Sequence, residues 1–340
     1  EHVGLAHVRL SIIDLETGQQ PMLSNSKNAI TYNGEIYNFE ELKKEIGESN
    51  FSTNSDTEVI LKAYERWGGD CISKFRGMFA FALWDESKSK LFCARDRFGI
   101  KPFYYTIVDD IFYCASEIKA LLPFVKEIDT DKDSLNDYLT FQFTLGEKTL
   151  FKGIKQLEPG HLLTIEDSQI SVKKYWEVYY NLDFIHTEQY FIEQTRELMG
   201  DSIRLHLRSD VPVGAYVSGG RDSSIVAALA SQIETSEFQA FTGKFSYGEG
   251  YDESMYARDL SQQYSFNLHE LDIKSTDFVS SIHKIIYHLD QPVAGPGSFP
   301  QYQISQLASE HRKVVLGGQG GDEIFGGYAR YLIAYFEQCI

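Results

Sequence analysis

The sequence predicts a two-domain α/β protein, in which a sheet-rich amino-terminal half is followed by a half built on a doubly wound parallel sheet. Residues 1–178 carry short segments of alternating apolar and polar residues separated by turn residues, a pattern typical of strands. From about Thr187, helical patterns alternate with short apolar strands, which predicts parallel pairing with right-handed crossovers. The polar stretch 179–189 is the predicted linker, so we expect one domain over 1–180 and a second over 187–340.

Two helices are predicted among the strands of the first half. One covers Phe39–Ile46 and the other 57–67. The second helix repeats apolar residues on one face, at Val59, Ile60, Ala63 and Tyr64. The predicted strands lie in the segments "AITYNGEIYNF", "MFAFALWD", "SKLFCARD", "PFYYTIV" and "IFYCASE".

The second half alternates regularly between helix and strand. A long helical pattern, "EQYFIEQTRELMGDSIRLHL", comes first. Strands are predicted at "GAYVSGG", "FQAFTGKF", "LHELDI" and "RKVVLGG", and the helices between them at "DSSIVAALASQI", "ESMYARDLSQQY" and "FVSSIHKIIYHL".

Composition excludes several functional classes. The chain has 340 residues, with 49 Asp and Glu against 32 Lys and Arg, and the net charge of -17 argues against a nucleic-acid-binding surface. Its four cysteines show no C-x-x-C spacing, so neither a zinc site nor a disulfide framework is indicated, and a reducing cytoplasm is the expected location. No apolar run is long enough to span a membrane.

A glycine-rich turn joins the strand that ends near Val217 to a helix that begins near Asp222. Gly219 and Gly220 permit backbone torsions closed to other residues, and the helix would direct unpaired N–H groups at the turn. Such an end binds an anion, most often phosphate. A tight turn capped by Asp222 is the simpler alternative. We name residues 218–224 the first glycine-rich loop.

A second glycine-rich loop, residues 317–322, follows the last predicted strand. Ligands of a doubly wound sheet collect at the carboxyl ends of its strands, so both loops should face one crevice. A flexible glycine linker is the alternative. Neither G-x-G-x-x-G nor G-x-x-x-x-G-K-[ST] occurs in the chain, which argues against hydride transfer and ordinary kinase or ATPase chemistry.

Seven motifs together resemble the glutamine-dependent asparagine synthetase family. In chain order they are "RLSIID", "YNGEIYN", "NSDTEVI", "FRGMFAFALWD", "RDRFGIKPFYY", "SDVPVGAYVSGGRDSS" and "GGQGGDEIFGGYARY". The resemblance covers essentially the whole chain. It implies a class II glutaminase of the N-terminal-nucleophile type with an αββα sandwich, followed by an ATP-pyrophosphatase domain.

The same resemblance implies the chemistry and the partners. ATP, aspartate and glutamine would give AMP, pyrophosphate, asparagine and glutamate, through a β-aspartyl-adenylate and transfer of ammonia between the domains. ATP and Mg²⁺ are the implied cofactors, the other partners are small substrates rather than nucleic acid or membrane, and a homodimer is expected.

By resemblance, glutamine is held by residues of the first half. Arg9 would bind the substrate carboxylate, in a segment completed by Leu10, Ser11, Ile12 and Ile13. Asn33 and Gly34 would form the oxyanion hole, and Glu35 and Asp56 would bind the ammonium group. Two simpler readings stay open, since "NG" is also a hairpin turn and Asp56 could cap a helix.

The nucleophile of the family is a cysteine at the very amino terminus, and none of the four cysteines matches it. An Arg-His-Arg-Gly-Pro-Asp stretch of the family is also missing before "RLSII". We therefore expect that a few tens of residues precede Glu1 in a longer protein and that the chain as given does not hydrolyse glutamine. The family likewise continues beyond "YARYLIAYFEQCI", with a lysine that contacts the phosphates.

By resemblance, the nucleotide is held by the two glycine-rich loops. The pyrophosphate would contact Ser218, Gly219, Gly220, Ser223 and Ser224. Asp222 and Asp322 would bind magnesium through hard oxygen ligands. The adenosine pocket would be lined by Val217, Gly243, Gly317 and Gly318.

Two residues depart from the family pattern. Arg221 stands where an aliphatic residue is usual, and it could tighten nucleotide binding, pair with Asp222 or point harmlessly to solvent. Gln319 stands where a catalytic Glu is usual, and a neutral amide cannot act as a general base. The acceptor could therefore be another carboxylate, on a sugar or a secondary metabolite. A nucleotide or glutamine sensor without catalysis is the third reading.

Overall fold

The computed structural model describes residues 3–234, 237–247, 250, 252–293 and 295–339. The chain divides into two compact units, with a break between Phe184 and Ile185. The first unit consists of Glu1–Phe184 and Ile286–Ala294, and the second contains the remainder.

The first unit contains a six-stranded sheet and a three-stranded sheet. The larger sheet has the order β1(Met22–Leu23), β2(Ala29–Ile36), β3(Gly77–Asp85), β4(Lys90–Arg95), β8(His161–Glu166) and β9(Gln169–Lys174), with every neighbouring pair antiparallel. The smaller sheet has the antiparallel order β6(Ile111–Ala115), β5(Tyr104–Val108) and β7(Lys155–Gln156). The helices are α1(Phe39–Ile46), α2(Asp56–Trp67) and α3(Lys132–Phe141), with short 3₁₀ segments at Glu48–Asn50, Gly68–Lys74, Ile118–Ala120 and Leu122–Phe124.

Three apolar layers hold this unit together. Helices α1 and α2 pack on one face of the larger sheet through residues that include Leu42, Ile60 and Phe81. The other face of that sheet, with Ala82 and Leu163, packs against the smaller sheet. Short 3₁₀ segments cover the outer face of the smaller sheet. The predicted α/β layering around two stacked sheets is confirmed.

The second unit is a parallel α/β structure. Its four strands are β10(Val213–Tyr216), β11(Gln239–Lys244), β12(Asn267–Asp272) and β13(Val314–Leu316), paired in the parallel order β12-β11-β10-β13. The helices are α4(Glu188–His206), α5(Arg221–Ile233), α6(Ser254–Tyr264), α7(Ser275–Leu289), α8(Ser298–Ser309), α9(Gly321–Phe325) and α10(Ala329–Gln338). The predicted doubly wound parallel sheet is confirmed.

One segment is grouped differently from the predicted domain over 187–340. Residues Ile286–Ala294 belong to the first unit. The physical reason is local: the carboxylate of Asp290 accepts hydrogen bonds from the N–H groups of Ile118 at 2.6 Å and Lys119 at 3.3 Å. In the described part of the chain, no helix combines the length and apolar character needed to cross a membrane.

Candidate functional site: two glycine-rich loops and a glutamine cavity

The strand order of the second unit places both glycine-rich loops at one edge. Strand β10 is central, with β11 on one side and β13 on the other. The chain adds β11 and β12 on one side of β10 and then returns to place β13 on its other side, so the strand order reverses between β10 and β13. Ala215 pairs with Leu316, so the two strands end at the same level. Ligands of open α/β sheets bind at such a switch point. The first and second glycine-rich loops both leave the sheet there.

The first glycine-rich loop is closed by its own serines. The N–H of Ser218 donates to Ser223 Oγ at 3.1 Å, the two hydroxyl oxygens lie 3.0 Å apart, and the N–H of Gly220 donates to Ser218 Oγ at 3.2 Å. Gly219 takes the left-handed φ of 89°. Gly220, rather than Asp222, is the N-cap of α5, and no side chain caps this helix. Because the amide groups of its first turn lack a side-chain cap, this loop is suited to an anion.

Glycines bring the second loop against the first. A Cβ placed on Gly318 would lie 2.5 Å from the backbone N of Ser223 and 2.9 Å from the carbonyl carbon of Asp222. A Cβ on Gly321 would overlap the carboxylate of Asp222. The two loops therefore meet in space although about a hundred residues separate them in sequence, and only glycines allow this approach. This contact excludes the alternative of a flexible glycine linker, since the second loop ends in α9.

The two predicted magnesium ligands come from these two loops. Asp222 lies in the first turn of α5 and packs on Gly321, the residue directly before Asp322. The Asp322 carboxylate lies against Gly327. Among the described residues, no cluster of three or more His, Cys, Asp or Glu side chains forms a ready-made metal cage. Mg²⁺ is usually held by one or two carboxylates together with water and substrate phosphates, so this pair of carboxylates suits it.

The two residues that depart from the family pattern are both exposed. Arg221 makes no ion pair with Asp222 in the described part of the chain, so the predicted alternative of a collapsed pair is wrong. Gln319 directs its Nε2 toward Oε1 of Gln301 at 3.5 Å, while its Oε1 lies over Gly317. A neutral amide, not a carboxylate, thus stands beside the two loops.

The remaining predicted nucleotide-binding residues, Val217 and Gly243, pack in the apolar core of the second unit. Val217 is 1% exposed, so only its backbone can line a pocket. A Cβ on Gly243 would lie 2.7 Å from Ile273 Cδ1 and 3.2 Å from Ile304 Cδ1. The absence of a side chain at Gly243 is therefore explained by packing within the apolar core as well as by the predicted pocket.

All but one of the predicted glutamine-binding residues of the first unit line one cavity. It has a volume of about 1630 Å³ and is lined by every predicted glutamine-binding residue except Ser11: Arg9, Leu10, Ile12, Ile13, Asn33, Gly34, Glu35 and Asp56. Leu10 is 65% exposed, so its own side chain is not enclosed. These residues come from three separate motifs and converge on a single cavity.

Arg9 is held by backbone carbonyls on one side of its guanidinium, and the other side is buried and unpaired among the described residues. Its Nη2 donates to the carbonyl oxygens of Ile13 at 2.6 Å and Asp14 at 2.7 Å. Its Nη1 is buried and has no hydrogen-bond partner among the described residues. A buried donor of this kind fits a carboxylate ligand, as predicted for the carboxylate of glutamine.

Asn33 and Gly34 lie within strand β2, so the predicted alternative of a hairpin turn is wrong. A Cβ on Gly34 would collide with the carbonyl oxygen of Met78 and lie 2.8 Å from the Cα of Phe79 on β3. Successive residues of a strand direct their N–H groups to opposite sides, so residues two apart direct them to the same side. The N–H of Gly34 therefore points away from β3, to the side where the N–H of Ile36 donates to Asp56.

Asp56 does not cap α2, because the cap is Ser55, whose Oγ accepts from the N–H of Thr57 at 3.2 Å. Asp56 is instead buried and bonded to β2. Lys101, a residue that the sequence analysis quoted without a role, lines the same cavity. Burial lowers the pKa of Lys101, while the nearby Glu35 and Asp96 raise it.

Cys114 also lines this large cavity. It lies on β6 and is hydrogen-bonded to Cys93, in the layer where the two sheets pack. The hydrogen bond from Cys93 lowers the pKa of the Cys114 thiol, whereas burial raises that of Cys93. These two cysteines are thus part of the intersheet core.

Comparison with known proteins decides the family. Residues 1–176 match the family described as glutamine amidotransferase domain, and residues 194–339 match asparagine synthase. A putative asparagine synthetase (glutamine-hydrolysing) of Methanocaldococcus jannaschii is 37% identical over 98% of this chain and 68% of its own length. The chain belongs to the glutamine-hydrolysing asparagine synthetase family.

Asparagine synthetase (glutamine-hydrolysing) 1 of Bacillus subtilis is 39% identical to the chain, over 97% of this chain and 52% of that protein. The chain therefore spans about half the length of this relative. An amidase of Gibberella zeae is 34% identical, over 96% of this chain and 51% of its own length. The resemblance inferred from the seven motifs is confirmed, and the family is one of ATP-dependent amidotransferase ligases.

Several contacts at the candidate site of this asparagine synthetase family member were not predicted from the sequence. The hydroxyl of Tyr32 bonds to Asp56, and Gln20 accepts from the N–H of Tyr32. Asp96 accepts from the N–H of Lys101. One available signal was the strand alternation that places Tyr32 on the same edge of β2 as Gly34 and Ile36. The individual roles of the site residues stay predictions.

Proposed function

We propose that the protein is a glutamine-dependent asparagine synthetase, which converts ATP, aspartate and glutamine into AMP, pyrophosphate, asparagine and glutamate. The observation that carries the proposal is the contact of the two glycine-rich loops at the switch point between β10 and β13, where Gly318 meets Ser223 and Gly321 meets Asp222. This contact brings the pyrophosphate-type loop with Asp222 next to the second loop with Asp322.

In the first step, the aspartate β-carboxylate attacks the α-phosphate of ATP, and pyrophosphate leaves. The uncapped amide groups at the start of α5 and the hydroxyls of Ser218 and Ser223 would hold the pyrophosphate. Asp222 and Asp322 would hold Mg²⁺, which when bound neutralises charge on the phosphates.

In the second step, ammonia attacks the carbonyl carbon of the acyl-adenylate, and AMP leaves. The incoming nitrogen must lose a proton as the C–N bond forms. Gln319 can accept a hydrogen bond through its Oε1 but cannot remove that proton at neutral pH. Gln319 therefore orients ammonia at most, and the proton passes to water or to a phosphate oxygen of the leaving AMP.

The first unit would supply ammonia from glutamine. Arg9 binds the substrate carboxylate through its buried Nη1, and Glu35 with Asp56 binds the ammonium group. The side-chain amide of Asn33 and the N–H of Gly34 stabilise the oxyanion of the tetrahedral intermediate. A homodimer and a cytoplasmic location remain predictions.

The direct test analyses the nucleotide products of the full-length protein with magnesium ATP, ammonium and aspartate. Ammonium bypasses the glutaminase, so only the second unit is tested. We expect AMP and pyrophosphate in equal amounts, formed only when aspartate is present, together with asparagine. Formation of ADP and phosphate, or tight binding of ATP without turnover, would contradict the proposal, and the second result would favour a nucleotide sensor.

A second candidate function replaces aspartate with another carboxylate. It is favoured by the neutral pair of Gln319 and Gln301 beside the loops and by the amidase among the relatives. If aspartate is the wrong acceptor, Gln319→Glu will not increase asparagine formation, while a panel of sugar or secondary-metabolite carboxylates will include one that releases AMP.

If aspartate is the natural acceptor, the unmodified protein will turn it over well, and this result excludes the second candidate. Gln306→Glu is the matched control, because Gln306 is an exposed residue of α8 and the substitution adds the same charge at a residue that takes no part in the hydrogen bond between Gln319 and Gln301. It should leave AMP formation unchanged. The readout for all proteins is asparagine and AMP measured in the same sample.

A further inference from the structure

Tyr32 lies in β2 directly before the two predicted oxyanion-hole residues, and its side chain is 3% exposed. Its hydroxyl donates to Oδ2 of Asp56 at 2.8 Å. The N–H of Ile36, four residues further along the same strand, donates to the same oxygen at 3.0 Å. Two donors of one strand thus converge on one oxygen of a buried carboxylate.

A carboxylate in this environment needs such donors to stay ionised. Burial raises the pKa of Asp56, whereas the hydrogen bonds from Ile36, Tyr32 and Thr57 and the charge of Arg9 lower it, and the balance lies above the usual value. The ammonium group of an amino acid requires the ionised form. Each donor to Asp56 therefore favours the state that binds an amino acid.

The surroundings of Asp56 contain further charged and titratable groups. Besides Tyr32 they are Arg9, Glu35, Tyr37 and Lys43, which all interact electrostatically with Asp56 or with the phenol bonded to it. Burial raises the pKa of Tyr32 well above its usual value, so its hydroxyl remains a donor throughout the working pH range.

The backbone of Tyr32 is held as firmly as its hydroxyl. Its N–H donates to Gln20 Oε1 at 2.7 Å, and Gln20 Nε2 donates to its carbonyl oxygen at 3.0 Å. Gln20 thereby takes the place of a neighbouring strand at the open edge of β2. Because both ends of the residue are fixed, the phenol has one defined position from which to orient Asp56.

We propose that Tyr32 is a positioning residue of the glutamine site, which orients Asp56 for the ammonium group of glutamine by donating a hydrogen bond to its Oδ2. This inference deepens the proposed function and rests on it. Tyr32 acts through Asp56 and does not itself touch the reacting atoms. The arrangement favours α-amino acids as substrates, since a carboxylic acid without an ammonium group gains nothing from it.

The test compares Tyr32→Phe with the wild type in the full-length protein. The substitution removes only the hydroxyl and leaves the ring in the apolar core. We expect the KM for glutamine to rise about tenfold, because a hydrogen bond to a charged group is lost. The kcat at saturating glutamine and the ammonium-dependent activity should stay near those of the wild type.

The pH profile supplies a readout that a purely structural role would not change. Removing a donor to the ionised carboxylate raises the pKa of Asp56. Glutamine binding needs that ionised form, so the acidic limb of the kcat/KM profile for glutamine should move to higher pH. An unchanged KM together with an unchanged acidic limb would overturn the proposal.

Two comparisons separate positioning from general destabilisation. Tyr64→Phe removes a similar buried bond, from the Tyr64 hydroxyl to Asp85 Oδ2 at 3.0 Å, in the same core cluster but outside the cavity. It should leave the KM for glutamine unchanged. In Asp56→Asn, adding Tyr32→Phe should cause no further loss, since the two residues act as one unit; additive losses would overturn the proposal.

Failure of the proposed function can be recognised separately. If the wild type makes no asparagine from ammonium, that function is wrong, yet equilibrium dialysis with labelled glutamine still compares the wild type with Tyr32→Phe. An approximately tenfold higher Kd in the variant would support the positioning role. Equal Kd values, or no binding of glutamine by the wild type, would overturn it.

Discussion

Gly318→Ala should lower the rate of AMP and pyrophosphate formation by about a hundredfold or more, because a displacement of about 1 Å in reacting groups has an effect of this size. A Cβ at this position would lie 2.5 Å from the backbone N of Ser223. Backbone atoms cannot rotate aside as a side chain would. The two glycine-rich loops must separate, and the pyrophosphate site would move relative to the second loop and Asp322.

The measurement is kcat/KM for ATP in the ammonium-dependent reaction of the full-length protein. Gly297→Ala is the matched control in the same unit, since nothing lies within 4 Å of the Cβ it would add and its φ is -63°. The control should retain normal activity. Glutamine hydrolysis should survive in both variants, and a Gly318→Ala protein with normal AMP formation would show that the loops need not touch.

Asp96→Ala should destabilise the first unit by about 4 kcal/mol or more, since several buried donors lose their partner at once. Asp96 is 1% exposed. Its carboxylate accepts from four backbone N–H groups, at 2.9–3.2 Å, those of Phe79, Phe98, Ile100 and Lys101. It thereby fixes the loop that carries Lys101 to the cavity lined by Arg9 and Asp56.

Urea unfolding followed by tryptophan fluorescence measures this effect in the chain. Its three tryptophans, Trp67, Trp84 and Trp176, all lie in the first unit, so the signal reports on that unit. Asp70→Ala is the control, because Asp70 is exposed, and it should change the free energy of unfolding by less than about 0.5 kcal/mol. A midpoint for Asp96→Ala equal to that of the control would contradict the expectation.

Local patterns predicted most of the helices and all four strands of the second unit, but not helices α3 and α8 or strands β8 and β9. Helix α1 has the predicted bounds, and α2 begins one residue earlier than predicted, because Ser55 rather than a later residue caps it. Helical period, caps and glycine turns depend on neighbours within a few residues. These features can therefore be predicted without knowing the fold.

The alternatives that the sequence left open were decided by long-range contacts. Whether "NG" at Asn33 is a turn depends on pairing with β3, and whether Arg221 pairs with Asp222 depends on side-chain directions in the folded loop. The strand pairing joins residues that are far apart in the chain, whereas Arg221 and Asp222 are neighbours whose side-chain directions depend on the folded loop. No local pattern encodes them uniquely.

The sequence by itself determined the family and the two α/β halves, since seven motifs in order carry that information, and it supplied the predicted site residues. Only the tertiary structure decided that the two glycine-rich loops meet at the switch point, that Asp96 holds the cavity loop and that Tyr32 and Ile36 share one oxygen of Asp56. The physical reason is that strand order and register arise from burial and hydrogen bonding summed over the whole domain, which bring together groups that local sequence leaves unrelated.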